Sequence, residues 1–389
     1  MIFQHPFGIT PSIEISIGGV PVLYESIKTV ELSLNEGEHD MVVLKMYGIP
    51  QKAIIEYIGA PVQIVLSRGN TERQEFVGEI AQIVPTNDLR KGAVNNSPFQ
   101  EADIYCMGSS YKMRGSKSKV WGEKTLTDIA TELASTYKFS LDVPKTTLLH
   151  SDTAQINKSD WVFLNEICDL YAYGLTVHGT HMHIWDPYRA TGRQRSYHEL
   201  FSVKETNYDP QPTPGVVLSF NGTFLSQPAS ETYTAVLDSQ GNITSVSSTQ
   251  FSDGEENSGL GKKFTTEYRS RLDAPAKSAE EAELAIKTSM RDSIPFYATI
   301  ETLGVIGIYP GGIINLVGFD TLVDNLWYVK GVTMTLGGMG LTTKLEVVSD
   351  STNEEKYTVY NTERFSDPPK PKFDGKNWVA EFRKINAYQ

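Results

Sequence analysis

Cysteine is nearly missing from this chain: Cys106 and Cys168 are the only two in 389 residues. That excludes a disulfide framework and any zinc site built from several thiolates. Both lie among apolar neighbours and are expected as buried thiols. No charged-then-apolar N-terminal signal is visible, and no apolar run approaches the roughly 20 residues that cross a bilayer as a helix. Synthesis and folding in a cytoplasm are expected. Positive charge is short as well, since 35 Lys and Arg against 47 Asp and Glu leave a net charge of −12. Such a surface is not expected to hold nucleic acid by phosphate neutralisation, and it suits one that must not retain DNA.

What is present reads mostly as short strands. Ile13, Ile15 and Ile17 alternate ahead of Gly18-Gly19, a hairpin signal leading to Val20, Val22 and Tyr24. Strand-like runs follow at Ile27 to Leu34, Met41 to Tyr47, Val62 to Leu66, Phe76 to Val84 and Ala102 to Met107. A polar stretch, NEGEHD, separates the first two runs. A short helix or turn is expected over 50–58, and a loop over 87–98. Evenly spaced short strands predict a small barrel over 1–114. The basic residues Lys112, Arg114, Lys117 and Lys119 lack interleaved aromatics and read as a solvated linker rather than a phosphate patch.

Residues 115–190 change character to a helix-hairpin α+β unit. Thr125 can cap a helix with Asp128 three residues on, and Leu126, Ile129, Ala130, Leu133, Ala134 and Tyr137 form one apolar stripe. Ser159 can cap a second helix, whose buried stripe is Leu164, Ile167, Cys168 and Tyr171. Gly174 is expected as its left-handed C-cap. Gly179-Thr180 suits a type II′ hairpin that sets Val177 against Met182 and Leu175 against Ile184. The other face then carries Thr176, His178, His181 and His183. Three close imidazoles could hold a divalent metal, but no carboxylate stands at ligand spacing. The expectation is an exposed polar face with no metal, no cofactor and no catalytic residue.

Strands resume over 191–350. Pro210, Pro212 and Pro214 read as a stiff junction. Val216 to Phe220 and Thr232 to Leu237 read as strands, and 239–263 as a long polar loop. A helix is expected from Ser278 to Ser293, with acidic residues massed in its first turn. Then come a strand over Phe296 to Val305, a turn at Tyr309-Pro310-Gly311-Gly312 and a strand over Ile313 to Val317. A hairpin of Leu326 to Leu336 and Leu341 to Val348 closes around Gly337-Gly338. Residues 351–389 leave globular patterning, with an extended PPKPK core. Trp378, Phe382 and Tyr388 are costly to leave bare, so this arm is expected to dock on a neighbouring subunit or another protein.

Several groups of residues together resemble a known family. They are Gln155, Ser159, Asp160, Trp161, Phe163, Leu164, Tyr173, Gly174, Trp185, Asp186 and Pro187; Phe76 and Gly78; Pro310-Gly311; Tyr328-Val329-Lys330; and Thr342 to Val347. The pattern is similar to phage tail baseplate hub proteins, the family of late control protein D and the N-terminal half of VgrG. The resemblance implies a mainly β fold, with two tail-tube-like barrels (1–114 and 191–350) flanking a small LysM-like domain. It also implies a structural, non-enzymatic role. A homotrimer would form a ring adapting the six-fold tail tube to a three-fold central spike, around the DNA exit channel. Partners would be the tube or distal tail protein, the spike, and wedge or tape-measure proteins. DNA would pass without specific binding, and no membrane anchor is implied. Assembly would take place in the host cytoplasm, with the product in the virion tail. VgrG chains continue into a spike, whereas this one ends soon after its second β region, so a separate spike polypeptide is expected.

Two other readings compete with this. A cell-wall hydrolase would need convergent carboxylates, and Glu255-Glu256 and Glu280-Glu281-Glu283 sit at ordinary solvated positions. A glycan-binding adhesin would need exposed aromatic platforms. On the hub reading, deleting residues from 365 onward weakens assembly, measured as lost complex in sedimentation.

Overall fold

The computed structural model describes residues 11–49, 56–68, 72–86, 99–148, 150–187, 197–202, 215–224, 230–237, 243–250, 269–272, 284, 296–319, 323, 326–338 and 340–349. Most of the turn over 50–58, the 87–98 loop and the junction at Pro210, Pro212 and Pro214 lie outside these residues. So do the helix over 278–293 apart from Leu284, and the arm with Trp378, Phe382 and Tyr388.

Alternation of apolar and polar residues builds the first half. β1 (Ser12–Ile17) and β2 (Val20–Pro21) join through Gly18 and Gly19, both at positive φ, as a tight hairpin requires. β3 (Ile27–Asn35), β4 (Met41–Ile49), β5 (Pro61–Arg68), β6 (Glu72–Thr86) and β7 (Phe99–Gly108) complete it, paired in the order β3-β4-β7-β6-β5-β1.

The insert contains β8 (Ser116–Lys124), α1 (Leu126–Tyr137), β9 (Ser140–Asp142), β10 (His150–Ser159), α2 (Asp160–Leu170), β11 (Gly174–His178) and β12 (His181–Trp185). α1 starts on the expected capping box, with Thr125 Oγ1 accepting from the Asp128 amide and Asp128 Oδ2 accepting from the Thr125 amide. Ser159 Oγ accepts from the Val162 amide at the start of α2. The hairpin register is the expected one, Leu175 with Ile184 and Val177 with Met182. The end of α2 is not. Ala172, at φ 54, takes the left-handed position; its amide reaches Asp169 O at 3.0 Å, and that of Tyr173 reaches Cys168 O at 2.9 Å. Gly174 instead opens β11, where a Cβ would stand 2.3 Å from the Trp185 ring. The demand there is for space, not for a special φ. The insert has its own core, centred on Leu126, Ile129, Leu164, Ile167 and Met182.

The second half holds β13 (Tyr197–Phe201), β14 (Val217–Phe224), β15 (Ser230–Leu237), β16 (Ile243–Gln250), β17 (Arg269–Leu272), β18 (Phe296–Leu303), β19 (Ile313–Val317), β20 (Leu326–Gly337) and β21 (Gly340–Ser349). β16 corrects the expectation of a loop over 239–263, because Ile243 to Gln250 pairs along β15. Its β-branched Ile243, Thr244, Val246 and Thr249 favour an extended chain, and the ladder supplies bonding that a count of apolar residues does not reveal.

The two halves repeat one plan. β3, β4, β5, β6 and β7 correspond to β14, β18, β19, β20 and β21, with identical neighbour relations. Their irregularities also coincide. The register slips between Ile27 and Thr29 on β3 and between Val217 and Ser219 on β14. It slips again between Ile80 and Gln82 on β6 and between Val329 and Gly331 on β20. Ahead of the third strand, Gly59 N reaches Ile80 O at 2.8 Å and Ala60 N reaches Tyr57 O at 2.9 Å. Gly311 N to Val329 O and Gly312 N to Tyr309 O match them at 2.8 and 3.0 Å. Gly59 and Gly311 share φ values of 80° and 83°.

The repeats are fused edge to edge. Gly331–Leu336 of β20 pairs antiparallel with Asn35–Val30 of β3, placing both halves in one 13-stranded sheet. Val30, Leu32, Leu34, Val332, Met334 and Leu336 are buried along this seam, within a core cluster that draws on both halves. The fold is mostly β with an α+β insert, and its two β regions are zipped together rather than separate. Leu44 and Ile300 occupy equivalent, fully buried places in the two repeats. Leu44→Ala and Ile300→Ala are each expected to cost about 2–5 kcal/mol. Because they share one core, urea titration should show both lowering the same transition.

Candidate functional site

The functional geometry centres on the β3–β4 turn, Glu36 to Asp40, which the sequence offered only as a polar stretch. This tongue touches all three parts of the molecule. Toward the second half, the Glu36 amide donates to Lys330 O at 2.9 Å. Toward the insert, the Gly37 amide donates to Leu175 O at 2.9 Å, while Gly37 O accepts from Trp161 Nε1 at 3.2 Å and Asn165 Nδ2 at 2.7 Å. His39 lies against Trp161 and Tyr111 and meets Ser110 Oγ through Nδ1 at 2.8 Å. Burial pushes its pKa down. Asp40 is buried and pairs through Oδ2 with His178 Nδ1 at 2.9 Å.

A side-chain chain closes the junction. Trp185 Nε1 donates to Tyr328 OH at 2.9 Å, and Tyr328 OH donates to Glu36 Oε2 at 2.8 Å. These three residues come from the insert, the second half and the first half. The Trp185 ring also packs on Gly311, where a Cβ would approach to 2.7 Å. Trp185, Gly174, Tyr328 and Gly311 all belong to the motif groups read from the sequence, and the fold gathers them at one place.

Two further motif residues, Gln155 and Asp160, form the insert's polar knot. Gln155 accepts from Trp121 Nε1 at 3.2 Å and donates to Asp160 Oδ1 at 2.9 Å. Asp160, without solvent exposure, also takes a bond from Tyr137 OH at 2.7 Å and pairs with Lys117. Burial pushes its carboxyl up, but these donors outweigh burial and hold it below the usual carboxylate range. The basic run is solvent-exposed as expected, but it belongs to folded elements rather than a linker. Lys117 serves Asp160, and Lys119 pairs with Glu132 over the Trp121 ring. Arg114 reaches Glu79 at 3.2 Å and covers Tyr111.

The histidine face is likewise not simply exposed. His178 faces the tongue with Tyr309 beside it at 5.1 Å, His181 meets Ser140, and the His181 and His183 rings lie 3.8 Å apart. The tongue and the 309–312 turn cover a face that a lone hairpin would leave to solvent. Among the described residues, no three His, Cys, Asp or Glu side chains gather as metal ligands.

A second bridge joins the halves. Gly307 N donates to Gln74 Oε1 at 3.2 Å, and Gly307 O meets His198 Nε2 at 3.3 Å. Burial pushes the His198 pKa down to about 4. Across the eight strands from β14 to β6, the face opposite the core is polar, with Glu31, Glu101, Asp103, Glu301 and Glu346 beside Lys28, Lys45 and Lys344, Lys28 pairing with Glu101 at 2.9 Å.

No family model and no curated protein matches the sequence. Solved structures do match the fold. The tail protein of Neisseria meningitidis MC58 superposes with a TM-score of 0.65 at 12% identity, over 91% of this chain and 99% of its own. The 43 kDa tail protein of prophage MuSo2 from Shewanella oneidensis gives 0.62 at 12% identity, over 88% and 99%. The E. coli c3393 protein gives 0.55 at 9% identity, over 86% and 76%. It is a type VI secretion component with structural similarity to the T4 tail proteins gp27 and gp5. The chain thus has the fold of phage tail and baseplate hub proteins, as its motifs led one to expect.

Tyr328→Phe removes the acceptor of Trp185 and a donor to Glu36, so about 1–3 kcal/mol of stability is expected to be lost in denaturant titration. His198 resists protonation when folded, so the unfolded chain takes up its proton first. Stability should therefore fall as pH drops from about 6.5 toward 4. His198→Gln should flatten that fall in thermal melts across the same window.

Proposed function

We propose that this protein is the structural hub of a phage tail baseplate, without catalytic activity. Three copies form a ring of six repeats, which presents six-fold character to the tail tube and three-fold symmetry to a central spike. The observation that carries this reading is the duplicated strand plan fused by a main-chain seam. One chain then supplies two tube-like units, and the shared fold with tail proteins supports the same assignment.

The acid-rich face of the eight-strand run lines the DNA channel. Five carboxylates against three lysines, one of them neutralised in the Lys28–Glu101 pair, disfavour lasting contact with phosphates. The tongue and the Trp185 wedge fix the insert on the ring's outside, where it meets wedge or tape-measure proteins. The arm with Trp378, Phe382 and Tyr388 docks on a neighbouring subunit or another tail protein. Assembly takes place in the host cytoplasm and the product resides in the virion tail. Native mass measurement of the purified protein is expected to give three copies; a monomer or dimer across the concentrations at which tails assemble would overturn the reading.

A further inference from the structure

One turn occurs in both repeats and meets two different surroundings. Tyr309-Pro310-Gly311-Gly312 leads into β19, and Tyr57-Ile58-Gly59-Ala60 leads into β5. Beside the bonds already matched, Val329 N donates to Gly312 O at 2.9 Å and Ile80 N to Ala60 O at 3.0 Å. In the second repeat this turn is a socket. The Trp185 ring lies on Gly311, within 2.7 Å of where a Cβ would stand, and its Nε1 is taken by Tyr328 OH. Tyr328 stands opposite Ile313, and Glu79 holds the same place opposite Pro61 in the first repeat.

The first repeat therefore has the same floor, walls and acceptor, and they face solvent. Ile58 is 54% exposed and Tyr57 36% exposed, and no atom of the described residues comes within 4 Å of a Cβ built on Gly59. Arg114 reaches Glu79 Oε1 at 3.2 Å, and a carboxylate can accept several bonds, so an indole N–H has an acceptor there as well.

The second socket also shows where a filling group comes from. Met107 of β7 stands opposite Glu79, and the chain then leaves the sheet to form the insert. Val348 of β21 stands opposite Tyr328, and the chain then leaves as residues 350–389. The segment leaving the first repeat returns Trp185 to the turn beside β20, three strands along the sheet from β7. The same step from β21 passes β18 and β14 and runs onto the first repeat of the next copy in the ring. Three strands span about 14 Å, and the 30 residues from Val348 to Trp378 reach about 30 Å as a flexible chain. Trp121, Trp161, Trp185 and Trp327 are all buried with Nε1 bonded, which leaves Trp378 as the fifth tryptophan of the chain.

We propose that Trp378 of one copy seats on the Gly59 turn of the neighbouring copy, its ring beside Tyr57 and Ile58 and its Nε1 donating to Glu79. This rests on the ring reading above and gives the arm a defined landing place, so that each copy staples the next.

Paired cysteines test it in the full-length protein. Ile58→Cys with Val379→Cys should oxidise to covalent trimers on non-reducing gels, and adding Trp378→Ala should slow that bridging at least about tenfold. Native Cys106 and Cys168 are buried, and burial pushes the Cys106 thiol up to about 12, so neither competes. Independently, Trp378→Ala and Ile58→Lys should each raise the concentration needed for half-assembly by about tenfold or more. Together they should do no more than either alone, because both break one contact. Bridges that close within one chain put the arm on its own first repeat and overturn the staple. A trimer by mass whose bridging is absent, or indifferent to Trp378→Ala, also overturns it and leaves the ring reading standing. A protein that never trimerises overturns both.

Discussion

The hydrogen-bonded seam between β3 and β20 is the constraint on which the molecule depends. It turns two stretches separated by almost 300 residues into neighbouring strands, and their alternation sends Val30, Leu32 and Leu34 into the same core as Val332, Met334 and Leu336. Register along such a seam is strict, because a slip of one residue would turn every apolar side chain to water. Once it forms, the β3–β4 tongue can point only at the insert, and Glu36 falls within reach of Tyr328.

The insert is held by few contacts, each specific in geometry. A carbonyl at Gly37 receives two side-chain donors, and an indole sits against two glycines while its N–H is satisfied by a phenol. Buried polar groups of this kind are costly when left unpaired, so they specify one arrangement rather than adding much net stability. The residues that carry the family resemblance are therefore fold-defining. Gln155 and Asp160 tie the insert to itself, while Trp185 and Tyr328 tie it to the sheets.

Much of this was legible in the sequence. The capping box at Thr125, the register around Gly179 and the strands between Ile13 and Met107 and between Phe296 and Val348 follow from periodicity and turn chemistry, which act over a few residues; the strands at Ser116–Lys124 and His150–Ser159 carry no such pattern. What escaped was non-local. Nothing near NEGEHD shows that its carbonyls and carboxylates meet partners more than a hundred residues away. The Lys117 to Lys119 run looked like a linker because Asp160 and Glu132 approach it only in the fold. Gly174 suggested a cap because its real neighbour, the Trp185 ring, comes from the partner strand. Ile243 to Gln250 looked like a loop because its stability comes from a ladder rather than a core.

Fusing two copies of one strand plan into a single polypeptide has a kinetic and evolutionary consequence. The covalent link keeps β3 and β20 at an effective concentration on the order of millimolar, so simple dilution does not part them. Any larger assembly of this chain would come apart into intact two-unit wedges, never into halves of a wedge. The tethered units are also freed from having to be identical. One carries the tongue and the other the β15–β16–β17 sheet, so two units of one plan can bear features that appear in only one of them.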